Sequence, residues 1–174
     1  MLSDTLYALL ASITIATTPA DTETREEQLI RLRLIADDAA SQGVSVEDAL
    51  LILAVSQHES GFNQRVDLGP CYRGKDGRGS QCDYGKAACM MQIHGSDEQR
   101  ASYFKDRKKC FSAGLKALKY SMAVCREQGV ENQFSAYASG SCINPEGHKG
   151  SAELYRYWVK WKSMYAAQLA KEKN

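Results

Sequence analysis

A chain of 174 residues is long enough to close one well-packed core and short for two. Its 22 lysines and arginines against 21 aspartates and glutamates leave a net charge of +1, so it offers no strong field to hold a polyanion, and no nucleic-acid partner is expected. Apolar residues at 44%, charged residues at 25% and only three prolines exclude a disordered, collagen-like or membrane-spanning chain.

Residues 1–20 form an N-terminal apolar segment. The run LYALLASITI at 6–15 is too short to cross a bilayer, which takes about 20 residues. Thr18-Pro19-Ala20 behind it resembles a cleavage site, yet Asp4 and the lack of Lys or Arg ahead of it make only half a signal peptide. A docked helix and a targeting role both fit. Residues 21–174 are expected to form one domain.

Thr24 and Glu27 make a capping box, Leu29, Leu32, Ile35 and Ala36 recur at helical spacing, and Gly43 reads as the stop. A second helix starts after Ser45, a good N-cap with Glu47 and Asp48 in the first turn, and runs to Glu59. Val46, Ala49, Leu50, Leu53 and Ala54 form its inner stripe, and Leu51, Ile52 and Val55 make it apolar nearly all round, so it is expected to be buried on most sides. Residues 60–89 change character: Gly61, Gly69, Gly74, Gly77, Gly79 and Gly85 sit among charges and three cysteines, which excludes a helix and predicts a long loop. After a short apolar stretch at 88–94, residues 110–127 read as a helix with Leu115, Leu118, Met122 and Cys125 inward and Gly129 as stop. A short helix around 133–137, a turn at 144–147 and a last helix over 151–171 follow. The face formed by Leu154, Tyr157 or Trp158, Trp161, Met164 and Tyr165 reads as core. The fold class is mainly α.

All six cysteines lie between Cys71 and Cys142, with 10, 6, 20, 14 and 16 residues between neighbours. Zinc sites need close pairs, so Cys71, Cys82, Cys89, Cys110, Cys125 and Cys142 are read as disulfide candidates, which points to an extracytoplasmic destination. Fifteen residues of helix span about 20 Å, so Cys110 and Cys125 cannot pair; of about 15 possible connectivities about 12 remain open. Neither a metal nor a cofactor is expected. His58-Glu59 lacks the second histidine of an H-E-x-x-H zinc site, because Phe62 stands there.

Glu59 closes an apolar helix and is followed by Ser60-Gly61-Phe62. Glycine can take the left-handed cap while the phenylalanine packs back, which sets the glutamate at a fixed rim. Helix C-terminal carbonyls and apolar neighbours both disfavour its ionised form. A carboxyl held protonated near neutral pH is what protonation of a glycosidic oxygen requires.

The run Ala54-Val55-Ser56-Gln57-His58-Glu59-Ser60-Gly61-Phe62-Asn63 resembles the helix and turn of soluble lytic transglycosylases, relatives of goose-type lysozyme, in which an E-S-G-F-N run carries the catalytic glutamate. Cys89-Met90-Met91-Gln92-Ile93 is similar to that family's G-L-M-Q-[ILV] segment, Ser135-Ala136-Tyr137-Ala138-Ser139-Gly140 to its A-Y-N-A-G motif, and residues 155–165 to its terminal helix. The likeness spans residues 45–165. It implies a lysozyme-like single domain with a long Gly/Cys-rich loop insertion, acting on peptidoglycan glycan strands at the β-1,4 bond between N-acetylmuramic acid and N-acetylglucosamine. Glu59 would be acid and then base, with formation of 1,6-anhydromuramic ends; in goose-type relatives water attacks instead. By the same resemblance Tyr137 would orient Glu59, Ser60 would support the turn, and Met91 and Gln92 would line the groove.

Ala138 stands where the family has Asn, Cys89 where it has Gly, and the span from Glu59 to Gln92 is longer than usual. Standard glycosidases use two carboxylates; Asp67, Asp76, Asp83 and Asp97 are candidate second groups, with Asp97 the best placed to orient water. The size fits a small wall-opening enzyme delivered by virion or secretion-apparatus proteins. A structural or wall-binding component that has lost turnover, and a disulfide-rich extracellular ligand, are the alternatives outside enzymology.

Overall fold

Helices carry almost all the regular structure of the computed structural model, which describes residues 2–14, 23–42, 45–67 and 86–172. α1 (Leu2–Thr14) packs on α2 (Arg25–Gln42) through Leu6, Leu9 and Leu10 on one side and Leu32, Ile35 and Ala36 on the other. The interface is pinned at its edge by Arg33, which pairs with Asp4 at 2.9 Å and lies over the Tyr7 ring. The N-terminal apolar run is thus a docked helix within residues 2–14. The Thr24–Glu27 capping box forms: the Thr24 N–H donates to Glu27 at 2.7 Å and the Glu27 N–H to the Thr24 hydroxyl. Gly43 lies outside the described residues.

α3 (Val46–Ser60) is the centre of the molecule. Ser45 caps it by accepting from the Asp48 N–H, and every residue from Ala49 to Ser56 is buried. Such an all-round apolar helix is stable only when other elements cover each face. Here α2, α6 and α8 do so. A single-turn helix, α4 (Gln64–Asp67), follows α3 directly, a correction to the expectation of no helix in residues 60–89; it lies ahead of the glycines that begin at Gly69.

Two residues each of β1 (Ala87–Ala88) and β2 (Ile93–His94) pair antiparallel and close the turn between them. α5 (Asp97–Lys105) starts at a complete capping box of Ser96 and Gln99. α6 (Arg107–Val124), capped by Asp106, begins three residues before the expected start, and the chain beyond Cys125 tightens into 3₁₀ turns at Arg126–Gln128 and Val130–Asn132. α7 (Ser135–Ser139) is the expected short helix.

The terminal helix α8 (Pro145–Glu172) also starts earlier than expected. The Asn144 carboxamide accepts from the Glu146 N–H at 2.9 Å, and Pro145 takes the first helical position, where a missing N–H costs nothing. What reads as a turn is a helix start. Leu154 and Trp161 are buried against the core, with Trp158, Met164 and Tyr165 half-buried beside them.

Among the described residues two disulfides are present, Cys89–Cys110 and Cys125–Cys142. Neither joins Cys110 to Cys125, as their shared helix requires. Closing loops of 21 and 17 residues, each restricts the unfolded chain by about 3 kcal/mol. Cys71 and Cys82 lie outside the described residues.

Candidate active site

α3 ends as its sequence dictates. Gly61 adopts the left-handed conformation, φ 58°, and its N–H donates to the Gln57 carbonyl at 2.9 Å. Phe62 repeats the left-handed turn at φ 58°, is 3% exposed, and meets the edge of the buried Trp161 ring at 6.3 Å. Trp161 in turn donates its indole N–H to the Gln57 carboxamide at 2.9 Å, so α8 grips the last turn of α3 from the side. The Ser60 hydroxyl donates to the Ser56 carbonyl, tying the final turn to the one before it.

Glu59 sits on this last turn with its side chain 26% exposed. Burial pushes its carboxyl up from 4.5 to about 7. The adjacent cation that would undo this is missing, because burial lowers the His58 imidazole while Glu153 only partly offsets the effect. The His58 Nε2 is 3.9 Å from Glu59 Oε1, and its ring leans on Tyr157 of α8. A neutral His58 leaves the glutamate free to keep its proton.

The segment from β1 to β2 carries the next expected site residues. Cys89 and Gln92 both hold left-handed backbones, φ 58° and 49°, and the Gln92 N–H and side-chain amide each donate to the Cys89 carbonyl at 3.0 Å. Non-glycine residues in this conformation persist only where their surroundings over-determine them. At Cys89 the disulfide to the buried Cys110 on α6 provides that constraint, so a cysteine occupies a position whose backbone favours glycine. Met91 is fully buried; its side chain lies against Gly114 of α6, where even a single added carbon would collide with its sulfur.

Tyr137 links this turn to Glu59. Its hydroxyl donates to the Met91 carbonyl, and its phenol is raised well above 10 by burial and then by the negative charge of Glu59. Tyr137 is therefore close enough to Glu59 to sense it, while its proton is committed to the Met91–Gln92 turn. Its backbone N–H donates to the Ser121 hydroxyl, which bonds on to the Gln133 carbonyl. Of the residues expected in the site, Glu59, Ser60, Met91, Gln92 and Tyr137 converge through this path. Met91 contributes a carbonyl, with its side chain in the core.

Asp97 stands elsewhere in the bonding scheme. It occupies the first turn of α5, 96% exposed, and pairs with Arg100. Asp67 is also committed: 2% exposed, it accepts both Nε and Nη2 of Arg107 at 2.9 Å. Asp76 and Asp83 lie outside the described residues. The residues that sequence reasoning missed are Arg31 and Arg107. Arg31 Nη1 donates to the Phe62 carbonyl at 2.9 Å, three residues beyond Glu59. Nothing local marks these arginines, since their partners are 31 and 40 residues away.

An apolar groove of about 750 Å³ opens between α1 and α2, lined by Tyr7, Leu29, Ile30 and Leu34 with Arg25, Glu26 and Arg33. It does not include Glu59. Among the described residues there is no cluster of His, Cys, Asp and Glu able to hold a metal ion, and no helix is long and apolar enough to cross a membrane. No protein-family model matches the chain, nor does any curated protein or solved structure.

Proposed function

We propose that the chain is a peptidoglycan lytic transglycosylase of lysozyme-like fold, with Glu59 as its single acid and base. The observation that carries this reading is a glutamate fixed at the end of a buried helix, partly open to solvent and raised to about 7. Such a carboxyl is protonated often enough near neutral pH to donate, and basic enough once ionised to take a proton back. In the first step Glu59 gives its proton to the glycosidic oxygen between N-acetylmuramic acid and N-acetylglucosamine, and the C1–O bond breaks. The Glu59 carboxylate then accepts the proton of the muramyl C6 hydroxyl as O6 bonds to C1. The product carries a 1,6-anhydro ring, the enzyme regains its proton, and no water is consumed.

Tyr137 suits a supporting part. With its proton on the Met91 carbonyl, it can only accept from any further neighbour, so it favours the protonated form of a nearby carboxyl. The 89–92 turn, held by its disulfide, would present Gln92 to the glycan. Among the described residues the candidate second carboxylates are committed elsewhere, Asp97 solvated and Asp67 held by arginine, which favours attack by the substrate's own hydroxyl over attack by water. Two disulfides support an oxidising, extracytoplasmic setting. Delivery by virion or secretion-apparatus proteins fits a domain of this size. Zymography on purified peptidoglycan tests the assignment: wild type clears the gel and Glu59→Gln does not. Clearing by the variant would remove Glu59 from the chemistry.

A further inference from the structure

We propose that Arg31 and Asp67 are positioning residues for Glu59, because they belong to a buried ion chain whose backbone target, among the described residues, is the turn that fixes the glutamate. The proposal rests on Glu59 being the acid and adds what holds it there.

The chain of charges runs through three helices, α2, α4 and α6, and Glu23 just ahead of α2. Arg31 on α2 grips Glu23 with Nε and Nη2 at 3.0 and 2.7 Å, and places Nη1 at 2.9 Å from the Phe62 carbonyl and 3.8 Å from Asp67. Asp67, at the end of α4, takes the two-pronged bond from Arg107 at the start of α6, and Arg107 Nη1 reaches Asp38 on α2 at 2.7 Å. The side chains of Arg31, Glu23 and Asp67 are 8%, 2% and 2% exposed. Stability alone does not call for such a set, since apolar residues of the same volume commonly serve a core as well or better. A guanidinium fork adds direction, which an apolar side chain cannot supply. The direction here is toward Phe62, three residues beyond Glu59.

Phe62 needs holding. Two successive left-handed residues end α3, and only the first is glycine. The Phe62 ring is seated against Trp161 and its carbonyl against Arg31, so both ends of an unfavourable conformation are fixed. If the carbonyl is released, the turn relaxes, the last turn of α3 frays, and water gains the Glu59 carboxyl. The other ionisable groups facing Glu59 are His58 beside it on α3, Tyr137 from α7, and Glu153 from α8 acting through His58. None of these touches the ion chain, so variants within it leave them in place.

Carboxyl-carbon NMR titration of Glu59, in the full chain, tests this without relying on turnover. Arg31→Lys keeps the charge but cannot hold Glu23 and the Phe62 carbonyl at once; Asp67→Asn keeps the shape but removes the negative charge that Arg107 and Arg31 share. Each is expected to move the Glu59 midpoint from near 7 toward 4.5, and, with peptidoglycan as substrate, to lower kcat with little change in KM. Lys119→Met, which breaks the Lys119–Asp48 pair at the opposite end of α3, is expected to leave the midpoint where it is. An unmoved midpoint in folded Arg31→Lys or Asp67→Asn overturns the proposal. If neither folds, Arg107→Lys loosens Asp67 and, through it, the seat of Arg31 on Phe62; a smaller downward move supports the proposal and no move overturns it. Absence of turnover in wild type would sink the transglycosylase reading, and the titration would still decide the positioning.

Discussion

Replacing Glu59 by glutamine should stabilise the protein progressively as pH rises above about 4.5, and fully above about 7. Glu59 rises from 4.5 to about 7 on folding because burial disfavours its ionised form. Between these values the folded state binds more protons than the unfolded state, so stability falls as pH rises through the window. Below 4.5 the carboxyl is protonated in both states and carries no penalty. Above 7 it is ionised in both, and the full cost applies. At about 1.4 kcal/mol per pH unit, the cost comes to about 3 kcal/mol. Glutamine matches the protonated form in shape and does not titrate. Urea unfolding of wild type and Glu59→Gln at pH 4 and pH 9 reads this directly: the midpoints should nearly coincide at pH 4, and the variant should be more stable by up to about 3 kcal/mol at pH 9, with equal slopes. Parallel stability curves across the whole range would refute the burial argument, and with it the reason for choosing Glu59 as the acid. The experiment needs no substrate, so it separates the electrostatics of the site from its chemistry.

Gly114→Ala places a carbon well inside contact with Met91 Sδ and Cε and 3.3 Å from Ile93 Cδ1. Overpacking of this kind costs about 1–3 kcal/mol. Because it displaces the residue whose carbonyl holds Tyr137, activity should fall further than a matched loss of stability elsewhere would cause, as a thermal melt and a turnover assay on the same sample will show. Removing the Cys125–Cys142 bond by the double change to serine should cost about 3 kcal/mol, or roughly 6–12 °C in Tm by calorimetry without reductant. An unchanged Tm would mean that the bond contributes nothing to the fold.

What was legible in the sequence was local. The Thr24–Glu27 box, the Ser45 cap and the Gly61 stop each act within a few residues, and all three form as written. The all-apolar stretch from Leu50 to Val55 announced a helix covered on every side. α5 escaped because DEQRASYFK has no apolar period, although the Ser96–Gln99 box in front of it was readable. Asn144-Pro145 reads equally as a turn or as a cap and first helical residue; the long amphipathic face behind it settles the choice only once the core exists. In the site, Glu59 and its turn could be argued from neighbours alone. Contacts across tens of residues could not: Arg31 on Phe62, Asp67 on Arg107, and Tyr137 on the Met91 carbonyl depend on how α2, α6 and α7 meet. Asp67 shows the hazard most plainly. As a letter it is a candidate catalytic carboxylate, and in the fold it is a buried counter-ion.

Mass analysis of the muropeptides released from purified peptidoglycan is the most direct measurement of the central claim. Attack by the muramyl C6 hydroxyl, with Glu59 as both acid and base, predicts products one water lighter than hydrolysis would give, and none from Glu59→Gln. Ordinary reducing ends from the wild-type protein would contradict it.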